Sequence, residues 1–260
     1  MDVKTVNLSY ICDERTAHKL LPPGADEAGV NIYRCCGSGD AKAHLKKVSM
    51  DVEASSLSCI MGTAVGLEPV ILLRSMALRL PGGHFHGTIL HDGGDRAHGI
   101  YRDIALVDGG AYSRVHHFSL SRVFDVLCFA TRLRTNYDGQ SSREHSRDIL
   151  RLVDLEPSLL VANLSVVEKR LLAIAMEISS APRLLCIEDP MRGLDTLSSL
   201  RMMRTLLGMT RQQVYPVTII MALDAPNCEV LQHVDYMTLI CDGDALFSGP
   251  PLINVVYFSF

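Results

Sequence analysis

The chain has 260 residues, enough for one large α/β domain or two small ones with a substantial core, and its 48% hydrophobic and 21% charged content excludes a disordered polypeptide. A formal net charge of −4, from 25 basic and 29 acidic residues, excludes a protein that coats nucleic acid through a basic field. No apolar run approaches the roughly 20 residues that span a bilayer, and MDVKTVNLSYICDERT lacks the hydrophobic core of a signal peptide. Eight cysteines, at 12, 35, 36, 59, 128, 186, 228 and 241, include no CxxC pair. That pattern fits reduced thiols in a soluble intracellular protein, with Cys35-Cys36 an inert adjacent pair.

Taken in chain order, Val3–Ile11 reads as a strand and Glu14–Asp40 as an irregular Pro/Gly-bearing stretch. Lys47–Glu53 alternates Val48, Met50 and Val52 as a half-buried strand does, and Leu57–Met61 is a short apolar strand ending at Gly62. Val70–Leu80 follows as a buried helix, so strand, glycine-bearing loop and helix succeed one another. Thr88–Leu90 and Ile104–Val107 are further strands, flanking the turn-rich HDGGDRAHG. Helical periodicity runs through Val123–Leu133, Ser142–Leu155 and Ser165–Ile178, the last opened by the capping box Ser165-x-x-Glu168. Strand Arg183–Ile187, helix Leu197–Leu207, strand Val217–Ala222, short helix Asn227–His233 and an edge hairpin, Tyr236–Ile240 with Ala245–Phe247, complete the chain. Alternating buried strands and helices predict a mostly parallel sheet covered on both faces. His84, His86, His91 and His98 imitate a metal cluster in composition, but no cysteine or acidic residue stands at ligand spacing beside them.

Three segments carry a resemblance. LSVVEKRLLAIAMEISSAPRLLCIEDPMRGLDTLSSLRMMRTL, from Leu164, resembles the signature-to-D-loop region of ATP-binding-cassette (ABC) transporter ATPases of the White-type G subfamily. LKKVSMDVEASSLSCIMGTAVGLEPVILLRSMALRL is similar to that family's strand, phosphate loop and helix. VTIIMALDAPNCEVLQHVDYMTLICDGDALFSGP is similar to the segment with its switch histidine and last strands. The resemblance implies an α/β, P-loop NTPase fold of the ABC nucleotide-binding type, with a mostly parallel sheet core and an N-terminal β subdomain. The core would span approximately residues 1–112 and 181–260, and an inserted helical subdomain approximately 113–180. It also implies ATP and Mg²⁺ as cofactors, and a second nucleotide-binding domain as partner in a homo- or heterodimer. A transmembrane domain outside this chain would hold it at the cytoplasmic face of a membrane, and the chain's end would fall near the linker to that domain.

The family's site positions map onto residues of altered chemistry. A phosphate loop, G-x-x-x-x-G-K-[ST], uses backbone N–H groups, a lysine and a Mg²⁺-binding hydroxyl. The matching residues here are Gly62, Thr63, Ala64, Val65, Gly66, Leu67, Glu68, Pro69 and Val70. Leu67 stands for the second glycine and Glu68 for the lysine. Two unit charges ~4 Å apart interact by about 4 kcal/mol at an effective dielectric near 20, so reversing the sign disfavours a phosphate by several kcal/mol. Pro69 removes a backbone donor while suiting a helix start. The acidic pair is Glu188, at the metal position, then Asp189, at the base position, the reverse of the family's Asp-Glu. It reads either as a structurally paired duo or as a displaced water-polarising pair. In the signature, Ser165 is kept while Val166 and Val167 replace glycines. The switch histidine aligns with Asp224, and the glutamine expected near Ile104–Gly110 is absent, with Asp108 there instead. Gly193-Leu194-Asp195 keeps the D-loop triplet. Tyr10 is either a strand aromatic or the adenine-stacking platform. Two functions follow: an ATP-binding, weakly or non-hydrolysing transporter domain, or a catalytically silent partner of an active one.

Overall fold

The computed structural model describes residues 1–12, 42–62, 67–80, 82, 84–92, 94–95, 100–212, 216–224 and 226–251. Two sheets form its frame. The first is antiparallel, in the order β2-β1-β4-β5, from β1 (Val3–Cys12), β2 (Lys42–Val52), β4 (His84–His91) and the two-residue β5 (Gly94–Asp95). The second has six strands in the order β10-β9-β3-β8-β7-β6, from β3 (Leu57–Gly62), β6 (Ile104–Val107), β7 (Leu184–Glu188), β8 (Thr218–Leu223), β9 (Tyr236–Cys241) and β10 (Asp244–Gly249). All neighbours in this second sheet are parallel except β10, which closes its edge as the antiparallel arm of the expected hairpin.

The central strands are buried on both faces, as their unbroken apolar runs require. Leu185, Ile187, Ile219 and Met221 point to one face, into a core shared with the helices α3 (Val123–Arg134), α4 (Gly139–Leu152), α5 (Val166–Ile178) and α6 (Thr196–Thr210). Their alternates Leu184, Cys186, Ile220 and Ala222 point the other way, into a second core with α1 (Glu68–Met76) and the antiparallel sheet. Two four-residue helices, α2 (Ala111–Arg114) and α7 (Cys228–Leu231), follow β6 and β8 in the chain. Burial pushes the Cys59 thiol up to about 12, so this strand cysteine is an inert packing group. The two sheets meet at the β9–β10 turn. Lys46 N–H donates to the Gly243 carbonyl at 2.7 Å. Gly243 has φ +87°, and a Cβ there would come within 3.0 Å of the His44 carbonyl oxygen, so only glycine fits.

Some expected boundaries shift. The helix expected over Val70–Leu80 runs Glu68–Met76, because Ala77 caps it and Leu78 turns to φ +56°. The strand expected to begin at Lys47 begins at Lys42, since β1 pairs with it from Val3↔Val52 through Cys12↔Lys42. Among the described residues no helix is long and apolar enough to cross a membrane. The irregular stretch through Asp40, Cys35 and Cys36 lies outside the described residues, apart from its neighbouring strand ends.

Candidate functional site

Parallel register brings the candidate residues to one edge of the six-stranded sheet. Met61 lies beside Leu223, Glu188 beside Ala222, and Val107 beside Ile187. Gly62, Asp108, Glu188, Asp189 and Asp224 therefore all stand at the carboxyl ends of parallel strands. That is where ligands bind in open α/β sheets.

On the β3 side, Gly62 packs against the ring of Pro69, which opens α1. Thr63, Ala64, Val65 and Gly66 lie outside the described residues. Leu67 is the buried N-cap of α1, and its carbonyl accepts from Ile71 N–H at 2.9 Å. Glu68 occupies the first turn, half-buried, and Val70 sits one position past Pro69 on the same helix. A carboxylate at a helix N-terminus compensates the helix dipole and takes up the positive field that a phosphate would use.

Each acidic residue at the strand ends is engaged by an arginine. Glu188, 5% exposed, makes a two-pronged ion pair with Arg74 of α1: Arg74 Nε donates to Oε1, and Nη2 donates to Oε2 at 2.9 Å. Oε2 also accepts from Gly109 N–H at 3.0 Å, and Tyr112 Oη donates to the Glu188 carbonyl at 3.1 Å. Burial alone lowers the Arg74 pKa, but the Glu188 hydrogen bond and charge outweigh it and hold it above the usual arginine value. Asp189 has φ +40° and donates its N–H to the Ala222 carbonyl at 2.9 Å. Its Oδ2 accepts from Arg192 Nε at 2.7 Å, and Arg192 Nη2 lies 3.8 Å from Asp224 Oδ2. Burial raises the Asp189 pKa, with a smaller upward push from Asp224 and opposition from Arg192 and Arg170. Asp108 pairs with Arg114 at 2.9 Å.

The signature and D-loop positions serve as helix caps. Ser165, exposed, caps α5: its Oγ donates to Glu168 Oε2 at 2.7 Å and accepts Glu168 N–H at 3.3 Å, while Ser165 N–H donates to the same carboxylate at 2.8 Å. These bonds hold the Glu168 carboxyl below the ordinary glutamate value. Val166 is exposed and Val167 buried. Asp195 caps α6 through Ser198 N–H at 2.9 Å. Arg170 of α5 donates to the carbonyls of Pro190 at 2.8 Å and Arg192 at 2.5 Å, and its guanidinium lies 5.3 Å from the centre of the Tyr112 ring.

Tyr10 lies away from this edge. It is fully buried in the antiparallel-sheet core, and its hydroxyl donates to the Gly82 carbonyl at 2.8 Å. A base stacks on an uncovered ring face, and this ring has none. His84 and His86 are exposed on β4 while His91 is buried beside the Met76 carbonyl; His98 lies outside the described residues. Among the described residues no group of three His, Cys, Asp or Glu is placed to hold a metal.

Arg74 and Arg192 are the functional residues that sequence reading missed. Arg74 interrupts the apolar run VILLRSM, and a charge inside a buried run signals a buried partner. Arg192 follows Asp189 by three residues, a spacing that a tight turn converts into contact. Mg²⁺ is a hard cation that binds carboxylate oxygens directly or through its waters. Here both Glu188 oxygens face Arg74, and Asp189 faces Arg192, so these residues as arranged do not fit a Mg²⁺ ion.

The architecture is the α/β fold of ABC ATP-binding cassettes, as two solved structures show. CbiO1 of a cbiONQ ABC transporter complex from Clostridium perfringens superimposes with a TM-score of 0.71 at 18% identity, over 96% of this chain and 88% of that one. The ATP-binding cassette MJ0796, in a dimeric post-hydrolysis state bound to ADP and Pi, superimposes with a TM-score of 0.68 at 15% identity, over 95% of this chain and 98% of that one. No protein-family model matches the chain. In sequence it is similar to ABC transporter G family member 46 of Oryza sativa subsp. japonica, 24% identical over 216 residues, which are 79% of this chain and 14% of the relative. The ATP-dependent permease AUS1 of Saccharomyces cerevisiae is 27% identical over 201 residues, 76% of this chain and 14% of the relative. The chain thus spans about one-seventh of the length of these curated relatives.

Proposed function

We propose that the chain is a nucleotide-binding domain of a G-subfamily-like ABC transporter whose own ATP site is degenerate, with weak or absent hydrolysis. Its role is that of a silent partner that scaffolds or regulates an active cassette. One observation carries this reading: the acidic residues at the metal, base and switch positions are already engaged by arginines from within the chain, Glu188 by Arg74, and Asp189 with Asp224 by the single guanidinium of Arg192. Glu68 adds a negative charge where a phosphate would need a positive one. Valines at 166 and 167 deny a partner's nucleotide the close backbone approach that glycines allow.

The dimeric cassettes of the same fold support pairing with a second nucleotide-binding domain, homologous or identical. The similarity to G-family transporters supports a transmembrane partner domain, and with it a place at the cytoplasmic face of a membrane. Within this reading the nucleotide-binding core covers approximately residues 1–112 and 181–260, and the helices between form the subdomain that faces the partner.

Titration calorimetry with Mg·ATP tests the reading. The unmodified chain gives no binding heat, and the Leu67→Gly/Glu68→Lys variant regains affinity for the nucleotide. Micromolar binding by the unmodified chain, about −8 kcal/mol, overturns the degenerate site and restores the ATP-hydrolysing transporter domain as the leading reading.

A further inference from the structure

We propose that Arg74 is a built-in counter-cation for Glu188, standing where a divalent ion would be needed, so that this end of the sheet is held together without metal. The inference rests on the degenerate-site reading, but its test involves no nucleotide.

The argument begins with burial. The Arg74 side chain is 13% exposed and that of Glu188 6%, so neither charge is hydrated as it would be in water. Two desolvated charges persist only when each satisfies the other. The guanidinium is planar and permanently charged, and its fork matches a carboxylate. Here Nε and Nη2 cover both Glu188 oxygens, and Gly109 N–H takes a further lone pair on Oε2. The pair also ties three elements: α1 through Arg74, β7 through Glu188, and the turn after β6 through Gly109. A divalent ion could reach this carboxylate only by displacing those donors. It would also meet a fixed positive charge at contact distance, so Arg74 and a metal exclude each other.

Removing the cation while leaving the carboxylate therefore creates a demand for a metal that the native chain lacks. The test compares the native chain, Arg74→Met and Arg74→Met/Glu188→Gln. Thermal unfolding is followed in EDTA and in Mg²⁺, and Mn²⁺ binding by electron paramagnetic resonance. In EDTA, Arg74→Met melts roughly 6–20 °C lower than the native chain, the shift that stranding a buried charge implies for a domain near this size. Mg²⁺ recovers part of that loss, and this variant alone takes up Mn²⁺. The double variant melts well above Arg74→Met in EDTA and ignores both metals. Should Arg74→Met not fold, the same titrations on Arg74→Gln, which keeps a donor but no charge, decide the matter.

The proposal is overturned if the native chain binds Mn²⁺ or gains stability from Mg²⁺. It is equally overturned if the arginine variants are indifferent to metal, or if the double variant responds to metal as the single does. ATP binding by the native chain would sink the degenerate-site reading while leaving these metal responses to be judged on their own.

Discussion

Replacing Gly62 by alanine probes the seam where strand β3 hands over to helix α1. A Cβ at position 62 would lie 2.7 Å from Pro69 Cγ and 2.9 Å from Cδ, where ordinary contact begins near 3.4 Å. The proline ring is closed onto its own backbone and cannot rotate aside, so strand and helix must part by several tenths of an ångström. Overpacking of this kind costs about 1–3 kcal/mol, or roughly 2–12 °C in Tm for a domain near this size. Pro69→Ala removes both clashing atoms. In that background Gly62→Ala becomes neutral or slightly stabilising, since alanine loses about 0.5–1 kcal/mol less backbone freedom than glycine within a strand. Urea unfolding of the four proteins, compared at constant m, measures the coupling. An equal loss from Gly62→Ala in both backgrounds would refute the claim that Pro69 sets this seam.

Two further predictions concern the strand ends and the signature helix. Because the Asp189 pKa is raised in the folded state, the folded chain holds a proton that the unfolded chain releases near the ordinary carboxylate value of 3.8. Stability therefore falls as pH rises from that value through the higher folded one, and the full penalty persists at neutral pH. Asp189→Asn removes this penalty and suits φ +40°. Its stability relative to the native chain therefore grows as pH climbs through that window; a difference independent of pH in urea melts contradicts the linkage. Ser165→Ala breaks the capping box of α5 and costs about 0.5–2 kcal/mol, read by the same melts, whereas a loss below that range would mean the cap is dispensable.

Regular structure was legible wherever a single stretch of sequence decides it. The spacing of Ser165 and Glu168 fixed the start of α5, and the unbroken run through Leu184 and Ile187 marked a strand covered on both faces. Reading failed where partners distant in sequence decide. The apolar run beyond Met76 continues because Leu78 and Leu80 still pack on the core after the helix has ended. β2 extends back to Lys42 because β1 pairs with it, not because its own residues alternate. At the site, sequence located Glu188, Asp189 and Asp224, and the three-residue spacing hinted at Arg192 beside Asp189, but it gave no sign of which cation meets Glu188. Arg74 lies 114 residues before its partner, and nothing local links them. The fate of Tyr10 was similarly non-local, since the sheet on either side and the Gly82 carbonyl determine which of its faces are covered.

Arg170 gives the molecule a mechanical property. Rooted in α5, it grips two carbonyls, Pro190 and Arg192, that flank the chain segment just after β7. That segment begins at Asp189 and carries the guanidinium that reaches toward Asp224. A helix hooked in this way cannot tilt without dragging the loop, and the loop cannot shift without straining the charge bridge to the end of β8. The helical layer and the acidic rim of the sheet thus behave as a lever and its load, with Arg170 as the pin.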